Sequence, residues 1–320
     1  MKKIILKVRG GLGNQLFMLS YAIGLSKLYN AIIYLDKTDY ERYTIRNFEL
    51  DQYLKYQDEI ENNEYHTSGL RRIYYSVLYK TYQLLMYVNR KFNKKLKLDK
   101  YRKVYNFLGA DFTEHGDGNF KQSFRSTQYV YGYFQDTSYV DYVYEEIYSL
   151  VHNHKFEETV LMNDHVKGYQ FKIVNATRAL AVSVRCGDDY LKLGWPICTT
   201  DYYLSAIDYF ESDVSSRPSE IFVFSDDVNK AKVLFEDLSK RRVTFIENTN
   251  PNESLYLMNL CDDFVISNSS FSWWGQKLSV KKSKRVIAPS KWFRESEDYK
   301  MNQIYESTFI IMDEKGELMN

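Results

Sequence analysis

Apolar residues along this chain fall into two kinds of segment: short uninterrupted runs, and longer stretches in which they return at helical spacing. The first run, Lys3 to Val8, passes through a glycine turn into a stretch from Asn14 to Tyr29, where Phe17, Tyr21, Leu25 and Leu28 recur at helical spacing. The run "AIIYLD" follows, so the chain opens as a βαβ unit. From Leu70 to Asn89 the spacing predicts an amphipathic helix with Ile73, Val77, Leu84 and Val88 on its apolar side.

The second half alternates with greater regularity. Runs at Ala179 to Arg185, Glu220 to Asp227, Val243 to Asn248, Asp262 to Ser270 and Lys284 to Ser290 are separated by the helical candidates "DYYLSAIDYF", "NKAKVLFEDLSK", "NESLYLMNL" and "SFSWWGQKLS". Strands that are apolar throughout are buried on both faces, which means a parallel sheet with helices above and below. The predicted architecture is α/β, with a first domain over residues 1–165 and a Rossmann-like second domain over 166–320. They join around His152 to Val174, and "TFIIMDEKG" reads as a late strand or tail.

The length of 320 residues suits two such domains. Balanced charge, 43 Lys and Arg against 42 Asp and Glu, implies no polyanionic partner, and the absence of a basic aromatic strip argues against nucleic acid. Three cysteines without a C-x-x-C pair fit a reducing compartment, and five histidines without metal-ligand spacing argue against zinc. Lys7 and Arg9 interrupt the first apolar run before a signal peptide is complete, and no uncharged apolar stretch approaches the roughly 20 residues that span a bilayer. One region does depart from neutrality. Between Arg71 and Tyr105 eleven basic residues face the single acid Asp99, either as a solvated helix face or as a contact for anionic lipid head groups or a lipid-linked, phosphate-bearing acceptor.

In doubly wound sheets, ligands sit outside the carboxyl ends of the strands. Four polar clusters occupy such ends. "GGLGNQ", with Gly11, Gly13 and Asn14, is either a tight turn needing positive φ, with Asn14 as a cap, or a backbone cradle for phosphate. "RCGDDY" begins with Arg185, which needs an anion at the end of a buried strand: a ligand, or Asp188 or Asp189 in the same turn. In "SDD" the residues Ser225, Asp226 and Asp227 cap the next helix or accept from a base edge or sugar hydroxyl. In "SNSSFSWW" the residues Asn268, Ser269 and Ser270 form a neutral anion cradle at a helix start. Phe271, Trp273 and Trp274 add flat apolar surface beside it, or pack the helix on the sheet.

Taken in order, "GGLGNQLF", "GYFQD", "VRCGDDY", "WPICTTDYYLSAIDYF", "VFSDD" and "LMNLCDDFVISNSSFSWWGQKLS" resemble the α-1,2-fucosyltransferases of glycosyltransferase family 11 over nearly the whole chain. The resemblance implies a GT-B-like fold, two Rossmann-like domains facing a cleft, with the N-terminal domain mainly on the acceptor side and the C-terminal domain holding GDP-fucose. It implies inversion at the anomeric carbon without a metal or other cofactor, in agreement with the absence of a D-x-D triplet. By similarity Arg185 contacts the β-phosphate and Asn14, with Gly11 and Gly13, reaches the donor. Asp226, Asn268, Ser269, Ser270 and Phe271 hold guanosine and pyrophosphate. The implied acceptor is a β-galactoside-terminated oligosaccharide or lipid-linked glycan, met in the cytoplasm or at the inner face of a bacterial plasma membrane.

Two positions depart from the family pattern. Ser183 stands where an His opens the arginine motif, whose turn carries an additional Asp, and Asp263 stands where an His often precedes the serine-rich segment. Asp188 and Asp189 are the nearest carboxylates to take the acceptor proton.

Overall fold

The computed structural model describes residues 1–42, 45–55, 69–91, 98–188, 190, 198–236, 242–292 and 303–319. They divide into two compact units, Met1–Leu150 and Val151–Asn320. In the first, β1 (Lys2–Lys7), α1 (Leu12–Tyr29) and β2 (Ala31–Asp36) form the expected βαβ opening. After α2 (Asp51–Leu54), α3 (Gly69–Lys91) and α4 (Leu98–Phe107) come β3 (Ala110–His115), β4 (Thr127–Gln135), α5 (Thr137–Tyr142) and α6 (Tyr144–Val151). The four strands lie parallel in the order β2-β1-β4-β3. A register shift in β3 marks where β4 carries Gly132: a Cβ there would stand 1.7 Å from the Thr113 carbonyl oxygen, so only glycine lets the two backbones approach.

Helix α3 forms where predicted, with the opposite face inward. Ile73, Val77 and Leu84 are exposed, while Tyr75 and Tyr82 are buried and Tyr79 partly so. The tyrosines meet an aromatic sheet face: Tyr75 stacks on Tyr129 with ring centroids 4.3 Å apart, and Tyr79 and Tyr82 pack on Tyr131 (4.5 Å) and Phe112 (5.6 Å). Rings bury more area than Val or Ile and can keep their hydroxyls bonded, so the aromatic side wins the sheet. Arg102 also leaves the basic stretch. It is buried, with Nε and Nη2 on the Asp111 carboxylate (2.7 and 3.1 Å) and Nη2 on the Tyr21 hydroxyl (2.8 Å), a structural pair.

The second unit contains α7 (His154–Val160), α8 (Asp164–Asn175), β5 (Ala179–Val184), α9 (Thr200–Ser212), β6 (Glu220–Ser225), α10 (Val228–Leu234) and β7 (Val243–Phe245). It continues with α11 (Pro251–Asn259), β8 (Asp263–Val265), α12 (Ser270–Lys277), β9 (Val286–Pro289) and β10 (Ile310–Met312). The boundary falls at Leu150/Val151 rather than 165/166 because α7 and α8 dock on α11. The Tyr256 hydroxyl donates to Glu157 (2.7 Å) and accepts from Gln170 (2.7 Å), and Asn163 donates to the Asn248 carbonyl (3.1 Å). All strand pairs are parallel, in the order β10-β9-β8-β5-β6-β7.

The amino ends of this sheet are clamped by charge. Asp263, fully buried at the start of β8, accepts from Arg178 (2.5 and 2.8 Å), from Arg285 (2.7 and 3.3 Å) and from the Arg285 backbone N–H (2.9 Å). Burial opposes its charge, and the hydrogen bonds from Arg178 and Arg285 outweigh it, holding the carboxyl below the ordinary range. Among the described residues no helix is long and apolar enough to cross a membrane.

Candidate active site

From β5 the chain runs outward through β6 and β7, then returns to β8 on the other side of β5 and continues through β9 and β10. Where neighbouring strands leave in opposite directions, their loops part and open a crevice at the carboxyl ends. The ends that meet there belong to β5 and β8, and they carry Arg185 and the segment from Ser267 to Phe271.

Arg185 follows the last residue of β5, and its side chain is 27% exposed, so the guanidinium remains reachable. Its Cζ lies 4.9 Å from the centroid of the Tyr190 ring, and Nε stands 4.0 Å from Asp226 Oδ2. Asp226 itself is fixed by the turn after β5: its Oδ1 accepts the backbone N–H groups of Cys186 (2.9 Å) and Gly187 (3.0 Å). Asp227, not Asp226, caps α10, accepting from the Lys230 backbone N–H at 3.1 Å. Asp188 pairs with the Lys230 ammonium on the surface, and Asp189 lies outside the described residues. Among the described residues Asp226 stands against Arg185, while Asp188 pairs with Lys230.

Asn268 is buried beneath this arrangement. Its Oδ1 accepts from the Tyr190 hydroxyl at 2.6 Å, and its Nδ2 donates to the Trp292 carbonyl at 3.2 Å. Both ends of the amide are engaged by protein, and through the Tyr190 ring Asn268 helps orient Arg185. Ser269 caps α12, accepting from the Phe271 N–H at 3.3 Å. Ser270 and Phe271 are half-exposed in the first turn. Both tryptophans are fully buried: Trp273 donates to the Ile304 carbonyl (2.7 Å) and meets Trp274 edge-on at 5.1 Å. The apolar platform reduces to Phe271, because α12 lies close against α11, where a Cβ on Gly275 would stand 2.0 Å from the Met258 sulfur.

In the first unit the glycine turn follows β1. Gly10 carries the positive φ (+76°), Gly11 is the extended N-cap residue, and α1 begins at Leu12, so Asn14 lies inside the first turn and is not the cap. Gly13 is buried in that turn. Asn14 Oδ1 accepts from Gln135 Nε2 at 2.9 Å, which ties the "GYFQD" end of β4 to the glycine turn. No local sequence signal singles out Gln15. Fully buried, its Nε2 donates to the carbonyls of Gly10 (2.9 Å) and Asn47 (2.8 Å), and its Oε1 accepts from the Glu49 N–H (2.9 Å). Beside these strand ends lies a cavity of about 290 Å³ whose lining includes Lys7, Asp39, Arg42, Arg72, Tyr79 and Tyr131.

The departures from the family pattern separate cleanly. Ser183 is buried near the site end of β5, whereas Asp263 stands at the opposite end of the sheet, in the arginine clamp. Among the described residues no group of three or more His, Cys, Asp or Glu side chains could hold a metal ion.

A family model, Glycosyl transferase family 11, matches residues 3–312. The chain belongs to glycosyl transferase family 11. It is 26% identical over 307 residues to the alpha-1,2-colitosyltransferase of Escherichia coli, covering 93% of this chain and 94% of that protein. It is 28% identical over 301 residues to the O-antigen biosynthesis glycosyltransferase WbnK of Escherichia coli, covering 89% and 93%. In fold it is similar to the NodZ alpha-1,6-fucosyltransferase co-crystallized with GDP, with a TM-score of 0.51 and 12% identity over 99% of this chain and 97% of that one. This family 11 member is thus a glycosyltransferase with the α/β fold of the GT-B class.

Proposed function

We propose that this glycosyltransferase transfers L-fucose from GDP-fucose to the 2-hydroxyl of a galactoside, with inversion at the anomeric carbon and without a metal. The observation that carries the reading is Arg185, held on Tyr190 at the carboxyl end of β5, where β5 and β8 part and α12 begins. As the bond from C1 to the diphosphate breaks, negative charge grows on the β-phosphate. Arg185 is proposed to take up that charge with the first N–H groups of α12, each well-aimed donor contributing on the order of 3 kcal/mol. Asp226, Ser269, Ser270 and Phe271 are the proposed guanosine and pyrophosphate contacts, Asn268 acting through Tyr190. Gly11, Gly13 and Asn14 are proposed as further donor contacts.

The tyrosine-lined cavity of the first unit is the proposed acceptor subsite, since rings and paired charges suit the apolar faces and hydroxyls of a sugar. An oxocarbenium-like path asks little of a base, and Asp188, in its surface pair with Lys230, is the proposed proton acceptor. The test is GDP release from GDP-fucose with a β-galactoside-terminated oligosaccharide, in EDTA, with the product linkage determined by NMR. An α-1,2-linked fucoside is expected. GDP release no faster than acceptor-free hydrolysis across a panel of β-galactosides would overturn the acceptor assignment. A second reading, transfer of a colitosyl group, is favoured by the 26% identical relative of that name, and running the panel with GDP-colitose separates the two.

A further inference from the structure

The outward face of α3 is apolar and cationic at once. Turning 100° per residue brings Leu70, Ile73, Val77 and Leu84 within an arc of about 60°, and all four are more than half exposed, Leu70 at 84% and Leu84 at 63%. The sheet-facing tyrosines occupy the other side, so among the described residues no packing of the helix accounts for this stripe. The helix contains no acidic residue, and the exposed cations Lys80 and Lys91 flank the stripe. Helix α4 lies alongside, joined through the Tyr74 hydroxyl to the Leu108 carbonyl (2.8 Å) and by Thr81 to the Tyr105 hydroxyl (3.2 Å), and it adds exposed Val104, Phe107 and Lys103.

We infer that this α3/α4 face docks on the surface of an anionic lipid bilayer, the aliphatic stripe entering the head-group boundary and the lysines meeting lipid phosphates. The charge selects the occupant. A second copy docking face to face would bring Lys80, Lys91 and Lys103 against their like, whereas an anionic surface neutralises them. The inference holds whichever sugar is transferred.

The test is flotation of the full chain with vesicles of phosphatidylcholine containing phosphatidylglycerol, against phosphatidylcholine alone. Binding to the anionic vesicles only, weakened by salt, is expected. Val77→Asp with Leu84→Asp should abolish it. Lys80→Glu with Lys91→Glu should weaken it by at least about tenfold, since each surface cation contributes about fivefold. Both variants should keep the wild-type melting temperature and the wild-type rate of GDP release with a soluble acceptor, which separates loss of docking from loss of the enzyme. Equal binding to neutral vesicles, no binding to anionic ones, or a dimer in sedimentation that Val77→Asp dissociates would each overturn the inference.

Discussion

Each unit carries an arginine just beyond its central strand and over a tyrosine ring, Arg9 on Tyr133 and Arg185 on Tyr190, and the two differ in which hydroxyls they meet. Arg9, after β1, lies 5.4 Å from the ring of Tyr131 and donates to that tyrosine's hydroxyl at 3.0 Å, while the hydroxyl donates on to Asp39. Arg185, after β5, lies over the ring of Tyr190, whose hydroxyl is turned away to Asn268. In the first unit the phenol oxygen accepts from the arginine, and two neutral amides work at the strand ends: Gln15 fixes the backbone of the glycine turn, and Gln135 holds the Asn14 side chain. In the second the ring holds the arginine through its face, and the hydrogen bonds that set the geometry lie beneath it. That difference accords with the proposal that the charge-bearing step belongs to the second unit.

The sharpest way to break this comparison is to remove both arginines in turn. Arg185→Ala should lower kcat by about 10²–10³ with the melting temperature unchanged, and Arg185→Lys should not restore it, because an ammonium lacks the planar fork that lies on a ring. Arg9→Ala should leave kcat within tenfold, roughly, of wild type and act on stability, as expected for a hydrogen-bonded structural cation. Steady-state kinetics and thermal melts on the three variants decide it.

Asp263→Ala tests the opposite end of the second sheet. Leaving Arg178 and Arg285 without their shared carboxylate should cost about 3 kcal/mol in urea unfolding, with GDP affinity by calorimetry unchanged. Because the folded carboxyl titrates below its unfolded value of about 3.9, its contribution is complete above that pH and is lost as pH falls through the folded value. The gap between variant and wild type should therefore close in acid. Gly132→Ala in the first unit should cost about 1–3 kcal/mol by forcing β3 and β4 apart, read in the same unfolding experiment.

Smaller effects refine the picture. Tyr190→Phe keeps the ring and frees Asn268, so a loss of about 1 kcal/mol in stability is expected, with a fall in kcat that Tyr131→Phe does not share. Asp188→Asn should lower kcat by less than about tenfold, against the 10²–10⁴ expected of a general base in full command of the proton. A larger drop in single-turnover measurements would raise Asp188 above an assisting role.

Much of this molecule is written in local pattern. Uninterrupted apolar runs between helical stretches determine parallel strands, because only strands covered on both faces need be apolar throughout, and the same pattern sets Arg185 and the serine-rich segment at carboxyl ends. What local pattern leaves open is which of two faces, or which of two neighbours, a side chain takes. Helix α3 offers an aliphatic and an aromatic side, and the sheet's own tyrosines chose the aromatic one. Trp273 and Trp274 could have formed a platform until α11 closed on α12 at Gly275. Nothing local to Asn268 shows that its oxygen meets the hydroxyl of Tyr190, 78 positions away in the chain. Periodicity within an element reports how its faces differ, and contacts between distant segments decide what each face meets.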